Sequence, residues 1–432
     1  MRVLVFEPDH SGHHFNYLRL LLPALTKLGV EVIAAVAEDA PGRDEFRTHL
    51  RQLPPGVAIS PTLRYPTGGP MRAAMQSREM LMIALRRLRP DHVYIPYADG
   101  LTQIVGALDG WRGAAFPGTI EIEALLMRGG FAYPSQGLKS RVSKLATLAC
   151  VGLSPWSRLH FIDPVAFEFI KQRGGQLAHR SRLMPDPVEV PHVRNKAESR
   201  RLLGIPMGGR YIGCFGVLDE RKGTDLLLKA FASADLGESD NLLLIGRLSP
   251  AIRGLLDQIN TSQGSRRQII TLDRYATDEE LQLGLSACDL VATPYPRHIG
   301  SASIVIRAAA AGRPVIAGDF GWMRAVVPRF QLGWTCDVSD LALFARSIRL
   351  ALDASSNFAP SDVAQRFARF HSPANFAAAW TSRLRERLSL PQLPHDSWSE
   401  LLQYVRHRSE TGISPARVGA PPLAEQGLKT GT

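Results

Sequence analysis

Three histidines crowd one short stretch, Glu7-Pro8-Asp9-His10-Ser11-Gly12-His13-His14, directly after the first apolar run. Imidazoles placed this way can donate hydrogen bonds or take up a proton near neutral pH. Gly12 lets backbone come close to a ligand. Zinc would need a further His or Cys at ligand spacing, and none follows, so no metal is expected. The G-x-G-x-x-G fingerprint is absent, which argues against an ordinary nicotinamide site. A second group, Asp219-Glu220-Arg221-Lys222-Gly223-Thr224-Asp225, brings two cations and a flexible glycine to the start of a helix. Cations and helix N-termini both favour anions, so this is chemistry for a diphosphate; a solvated loop with two charges is the plain alternative. A third group is Arg297-His298-Ile299-Gly300-Ser301-Ala302-Ser303, where small residues leave backbone N–H groups free to close around a phosphate. Helix capping by Ser301 alone is the simpler reading. Last comes Gly312–Asp319, a turn and strand ending in an acid that can cap the next helix.

Such groups need elements that hold them. Short β-branched runs alternate with longer helical patterns along the whole chain, which predicts parallel sheets covered by helices. Val3–Phe6, Glu31–Ala37, His92–Tyr97 and Leu148–Leu153 read as buried strands of a first half. Tyr211–Gly216, Asn241–Gly246, Gln268–Asp273, Asp289–Tyr295 and Pro314–Gly318 read as strands of a second. The chemistry-bearing groups follow strands, and in open α/β sheets ligands sit beyond strand carboxyl ends. Met184-Pro185-Asp186-Pro187-Val188-Glu189-Val190-Pro191 blocks both helix and central strand and serves as a connector. The expected organisation is therefore residues 1–188, then 189–372, with a further helical region from about 373 to 405 after the second domain's pattern ends. A Gly-, Pro- and Ser-rich tail over 409–432 is expected to be disordered.

Composition narrows the classes. The 432 residues are 45% hydrophobic and 21% charged, which suits two or three globular domains. No apolar run approaches the roughly 18 residues of a membrane span. Cys150, Cys214, Cys288 and Cys336 are scattered and read as buried thiols in a reducing, cytoplasmic setting. The net charge of +11 is spread along the length without interleaved aromatics, so no nucleic-acid partner is expected. Anionic substrates and peripheral contact with an anionic inner membrane face suit that charge better.

The runs "YIGCFGVLDERKGTDLLLKAF", "NLLLIGR", "ITLDRYATDEELQLGLSACDLVATPYP" and "AAAAGRPVIAGDFG" resemble the retaining glycosyltransferases of family 4. The Pro185-Asp186-Pro187-Val188 connector resembles that family's interdomain segment, whereas the first half matches only around Gly12-His13-His14. The resemblance implies a GT-B fold, two facing Rossmann-like α/β domains with a cleft between them, and a final helix, over about 373–405 here, that packs back on the first domain. It implies sugar transfer from a nucleotide-sugar donor to a glycan or lipid-linked acceptor, in cell-envelope or exopolysaccharide synthesis, without cofactor or metal. Arg221 and Lys222 fall on the family's cationic pair for the donor diphosphate, and Gly300, Ser301 and Ser303 on its phosphate loop. Gly223, Arg247, His298 and Arg307 complete the donor-side set, and Gly12 and His14 lie on the acceptor side. Candidate catalytic groups are His13, Asp99, and Glu121 or Glu123 after Phe116-Pro117-Gly118. One departure is plain. The family's E-x(7)-E acids would fall at positions 299 and 307, where this chain has Ile299 and Arg307. That substitution motivates the alternative of a catalytically silent relative that binds nucleotide sugar or glycan as an assembly partner.

Overall fold

The computed structural model describes residues 1–10, 14–110, 120–135, 137–190, 194–263 and 268–410. The chain divides into two compact units, Met1–Pro187 with Pro373–Ser397, and Val188–Ser372 with the chain from Trp398 on. Among the described residues the first unit holds β1 (Arg2–Glu7), β2 (Glu31–Ala37), β3 (Val57–Leu63), β4 (His92–Ile95), β5 (Glu121–Leu126), β6 (Arg158–Phe161) and β7 (Ser181–Leu183). They form one parallel sheet in the order β3-β2-β1-β4-β5-β6-β7. The second unit holds β8 (Arg210–Phe215), β9 (Asp240–Ile245), β10 (Ile269–Leu272), β11 (Leu290–Thr293), β12 (Val315–Gly318) and β13 (Gly333–Cys336). Their order is β10-β9-β8-β11-β12-β13, again parallel throughout.

The central strands are apolar on both faces because helices cover both, as parallel sheets require. In β1, Leu4 and Phe6 enter one core with Val93, Ile95 and Trp156. Val3 and Val5 enter the opposite core with Tyr94, Leu125, Phe376 and Trp380. The two doubly wound domains expected from the alternating pattern are present. Among the described helices none is long and apolar enough to cross a membrane.

Local expectations fail where an apolar run is short. Leu148–Leu153 is no strand but the end of the helix Gly137–Leu153. Periodicity alone cannot separate such a run from a helix, and here tertiary contacts decide. A side-chain carbon on Gly106 would lie 1.8 Å from the carbonyl oxygen of Cys150, so only glycine admits this helix at its observed distance. Arg180 then donates to the carbonyls of Val151 (3.1 Å), Gly152 (2.8 Å) and Trp156 (2.9 Å), satisfying acceptors left open at the helix end. The returning helix expected over 373–405 is likewise two helices. Pro373–Arg387 packs on the first unit, and Pro391 and Pro394 break the chain after it. Trp398–Glu410 belongs instead to the second unit, where Trp398 meets the Phe330 and Phe370 rings at 5.2 and 5.5 Å, and Tyr404 and Arg408 pair with Asp362. Residues 411–432, most of the expected tail, lie outside the described residues.

One polar cluster lies inside the first sheet. Glu123 is fully buried on β5, with Oε1 3.0 Å from His92 Nε2 and Oε2 2.6 Å from His160 Nε2. A carboxylate only accepts, so both imidazoles donate, and Arg387 Nη1 lies 3.4 Å from His92 Nδ1 as a donor to it. Burial opposes the charge on Glu123, but the two imidazole hydrogen bonds outweigh it and pull the carboxyl down to about 2. Because the folded value lies below the ordinary 4.5, this contribution to stability is present above pH 4.5 and fades as pH falls towards 2. Glu123→Ala should destabilise the first unit by about 3–5 kcal/mol, the usual result of breaking a buried charged pair. Denaturant titration of the variant at neutral pH measures it.

Candidate functional site

Each sheet reverses its strand order once, between β1 and β4 in the first unit and between β8 and β11 in the second. At such a point the two central loops turn away in opposite directions and leave an opening at the carboxyl edge. In the second unit the loop after β8 carries Gly216 to Thr224, and the loop after β11 carries Pro294 to Ala302. They touch through glycine. Gly223 has φ +67°, and a side-chain carbon there would sit 2.0 Å from the carbonyl oxygen of Pro294. The Asp219 side chain accepts from Lys222 N at 2.9 Å and shapes the turn, and the helix Thr224–Ser233 follows.

That turn aims Lys222 into the opening. Its Nζ lies 5.4 Å from the centre of the buried Tyr295 ring, and no carboxylate among the described residues ion-pairs with it. Burial pulls the ammonium below its usual pKa, so an anion that offsets its lost solvation would bind favourably. Arg221 is exposed, 3.6 Å from Asp219. Opposite, His298 Nε2 lies 2.9 Å from the Ser301 carbonyl oxygen, and its ring meets Tyr295 edge-on at 5.2 Å. Thr224 Oγ1, Thr293 Oγ1 and Ser301 Oγ are buried without a hydrogen-bond partner among the described residues. Three open hydroxyls at one sheet edge call for a polar occupant.

The donor-side residues separate into two sets. Lys222, Gly223, His298, Gly300 and Ser301 gather at the opening, Ser303 begins the helix Ser303–Ala310 beside it, and Arg221 borders it. Arg247 stands exposed on the neighbouring loop after β9, where its carbonyl accepts from Leu218 N at 2.8 Å. Arg307 is already engaged. Its side chain is 11% exposed, its Nη2 donates to Asp278 at 2.6 Å, and its Nη1 to the carbonyl of Glu189 at 2.9 Å. The anion that a lone arginine on this apolar helix requires is supplied from inside the unit.

The first unit gathers a different chemistry at its own reversal. Glu7 ends β1, buried, with Oε2 unpartnered among the described residues and Oε1 3.0 Å from Nδ1 of His14, the first residue of the helix His14–Thr26. The His14 ring lies 4.3 Å from that of Tyr97, just past β4. Asp99 follows and accepts from the backbone N–H of Arg128 (3.0 Å) and Met127 (3.3 Å) beyond β5. Burial raises the Asp99 carboxyl to about 6 against those hydrogen bonds. Burial also raises Glu7, with His14 opposing; it depresses His14, whose partner Glu7 more than compensates and holds it above its ordinary value. Two carboxyls and an imidazole with perturbed affinities at one edge can bind hydroxyls or exchange protons.

Glu121 and Glu123 stand elsewhere. Offered as catalytic candidates, they lie on β5 before its carboxyl end, facing the helix Pro373–Arg387. Glu121 accepts from Arg383 at 2.8 and 2.9 Å, and Glu123 is held by its two histidines. Both carboxylates are structural in this arrangement. Gly12 and His13, with Phe116-Pro117-Gly118, lie outside the described residues. Tyr97 and Arg128 were not singled out by sequence. Only the position of Tyr97 at the end of the run His92–Tyr97, next to Asp99, hinted at the first, and no sequence signal pointed to Arg128.

Two doubly wound parallel domains in one chain define a GT-B fold. Residues 209–354, which span the whole second sheet, match the family model described as Glycosyl transferases group 1. The chain is similar to D-inositol 3-phosphate glycosyltransferase of Corynebacterium urealyticum, 29% identical over 216 residues, 48% of this chain and 49% of that one. It thus spans about half the length of the curated relatives it matches. Among solved structures, sucrose-phosphate synthase from Thermosynechococcus elongatus aligns with TM-score 0.68 at 18% identity, over 90% of this chain and 99% of that one. Anabaena HepE in complex with UDP and glucose aligns with TM-score 0.60 at 14% identity, over 89% and 100%.

Two measurements test these placements. Arg307→Met should cost the second unit about 1–3 kcal/mol in denaturant, moderated because Asp278 stays solvated. For Asp99 the folded carboxyl binds its proton more tightly than the unfolded one. Wild type should therefore lose stability relative to Asp99→Asn as pH rises from about 4 to about 6, read from paired thermal melts.

Proposed function

We propose that the chain is a glycosyltransferase that moves a sugar from a nucleotide-sugar donor, with retained configuration, to a glycan or lipid-linked acceptor in cell-envelope or exopolysaccharide synthesis. The observation that carries this reading is Lys222. Its half-buried ammonium faces the opening of the second sheet without a carboxylate partner, within the stretch similar to the group 1 glycosyltransferases. The second unit holds the donor. As the anomeric carbon–oxygen bond breaks, its electron pair goes to the departing nucleoside diphosphate, which Lys222 and Arg221 stabilise together with hydroxyl and backbone donors around Ser301. The acceptor hydroxyl forms the new bond to the anomeric carbon, and its proton passes to the departing phosphate oxygen. Asp99 and His14 at the first unit's edge accept and orient acceptor hydroxyls. These cations answer the diphosphate charge that a metal otherwise would, so turnover should survive EDTA. The net charge of +11 suits peripheral contact with an anionic inner membrane face in a cytoplasmic enzyme.

A panel of nucleotide sugars identifies the donor. Present at 100 times its Kd, the right one should add about 2.7 kcal/mol of stability. Lys222→Ala should weaken donor binding and cut turnover about a hundredfold, equivalent to about 3 kcal/mol of leaving-group stabilisation. Arg221→Ala should cost less, because its guanidinium is exposed and beside Asp219. Unchanged turnover in both variants overturns the assignment. Stabilisation by a nucleotide sugar without turnover would instead identify the silent relative that Ile299 and Arg307 motivate.

A further inference from the structure

The helix Gly137–Leu153 has its apolar side reversed. Of its seventeen residues only Val151 is buried, while Leu138, Val142 and Leu145 are 76%, 58% and 65% exposed. Their spacing of four and three residues puts them on one stripe of an α-helix. Its inner contacts are fixed without that stripe. Gly106 and Gly110 receive the backbone at Cys150 and Leu153, and Lys144 donates to the carbonyls of Tyr133 and Pro134 at 2.8 and 2.7 Å. The outward stripe therefore contributes nothing to the folding of this unit. Lys139 and Arg141 flank it, and the helix contains no acidic residue. On the other side of the helix Asp99–Asp109, the helix Pro70–Leu88 exposes Met71 and Met75 in the same layer, beside Arg72.

The geometry points to an anionic lipid surface as the partner of this stripe. An interfacial helix needs apolar side chains to enter the acyl boundary and cations beside them to meet lipid phosphates, and Gly137–Leu153 carries both with no opposing charge. A second copy of this chain fits worse. Two helices of this kind would bring like charges together without a carboxylate on either. The stripe occupies the first half of its helix, which begins at the carboxyl edge of the sheet, the edge that carries Glu7, Tyr97 and Asp99. Docking there would hold that edge near the headgroups, where a lipid-linked hydroxyl acceptor is presented. The docking deepens the reading of the first unit as the acceptor side, yet lipid binding itself requires no sugar transfer.

Flotation of the full chain with vesicles separates the two. Wild type should float with phosphatidylglycerol–phosphatidylcholine vesicles and partition about tenfold less onto phosphatidylcholine alone, because the cations contribute through surface potential. Leu138→Glu/Val142→Glu/Leu145→Glu should reduce partitioning onto the anionic vesicles at least about tenfold with an unchanged melting temperature, since the stripe is already in water. Lys139→Glu/Arg141→Glu should weaken binding comparably. Turnover on a water-soluble acceptor should be the same in all of them, whereas a failed donor assay with intact flotation would overturn only the transfer reading. A wild type that stays with the aqueous fraction, or a triple variant that floats as well as wild type, overturns lipid docking. So does a concentration-dependent dimer that the triple variant abolishes while vesicles leave it intact.

Discussion

Both units depend on one topological constraint: a parallel sheet built outward from its middle must reverse strand order there. The loops after the two central strands then diverge, and no crossover connection covers the gap they leave. Lys222, Glu7, His14 and Asp99, whose proton affinities burial and neighbours shift, all sit around those two gaps. In the second unit the gap after β8 and β11 is narrowed until Gly223 touches the Pro294 carbonyl, a distance no side chain would allow. That contact is what sets Lys222 over Tyr295 rather than out in solvent.

The two gaps carry opposite electrostatics. The second offers a half-buried ammonium, unpartnered hydroxyls and a helix start, all suited to an anion. The first offers Glu7 and Asp99 with His14 between them in charge, and burial raises both carboxyls. An acceptor bound there would meet proton acceptors, whereas a donor phosphate would be repelled. The proposed division between donor and acceptor rests on this contrast of charge.

Several charges elsewhere in the two units are closed off by partners. Asp289 receives Lys196 and Arg200, Asp240 receives Arg210 at two points, and Glu121 receives Arg383. Glu123 is the deepest case, a carboxylate in the sheet core whose two histidine donors exceed the penalty of burial. Arg307 belongs with these. At the position where the resemblance calls for an acid, the chain has a cation that ties the connector at Glu189 to the helix beginning at Asp278. Here the side chain serves as an internal tether.

The sequence by itself determined the two α/β domains, because runs such as Val3–Phe6 and Leu242–Ile245 are apolar at every position and alternate with amphipathic stretches. It also marked the cationic turn at Arg221-Lys222-Gly223 and the small-residue helix start at Ser301–Ser303 as a candidate anion site, since that reading needs only local composition. Tertiary structure alone decided the rest. Leu148–Leu153 is helical because Gly106 and Gly110 receive its backbone, and the segment after Pro373 divides between units because prolines break it. Glu121 and Glu123 were indistinguishable from Asp99 as candidate acids by position in the chain. They differ in what β6 and the helix Pro373–Arg387 bring against them, His160 for one and Arg383 for the other. A side chain's type is local, but whether its charge is free or already answered depends on partners 37 and 262 residues away, which no local pattern encodes.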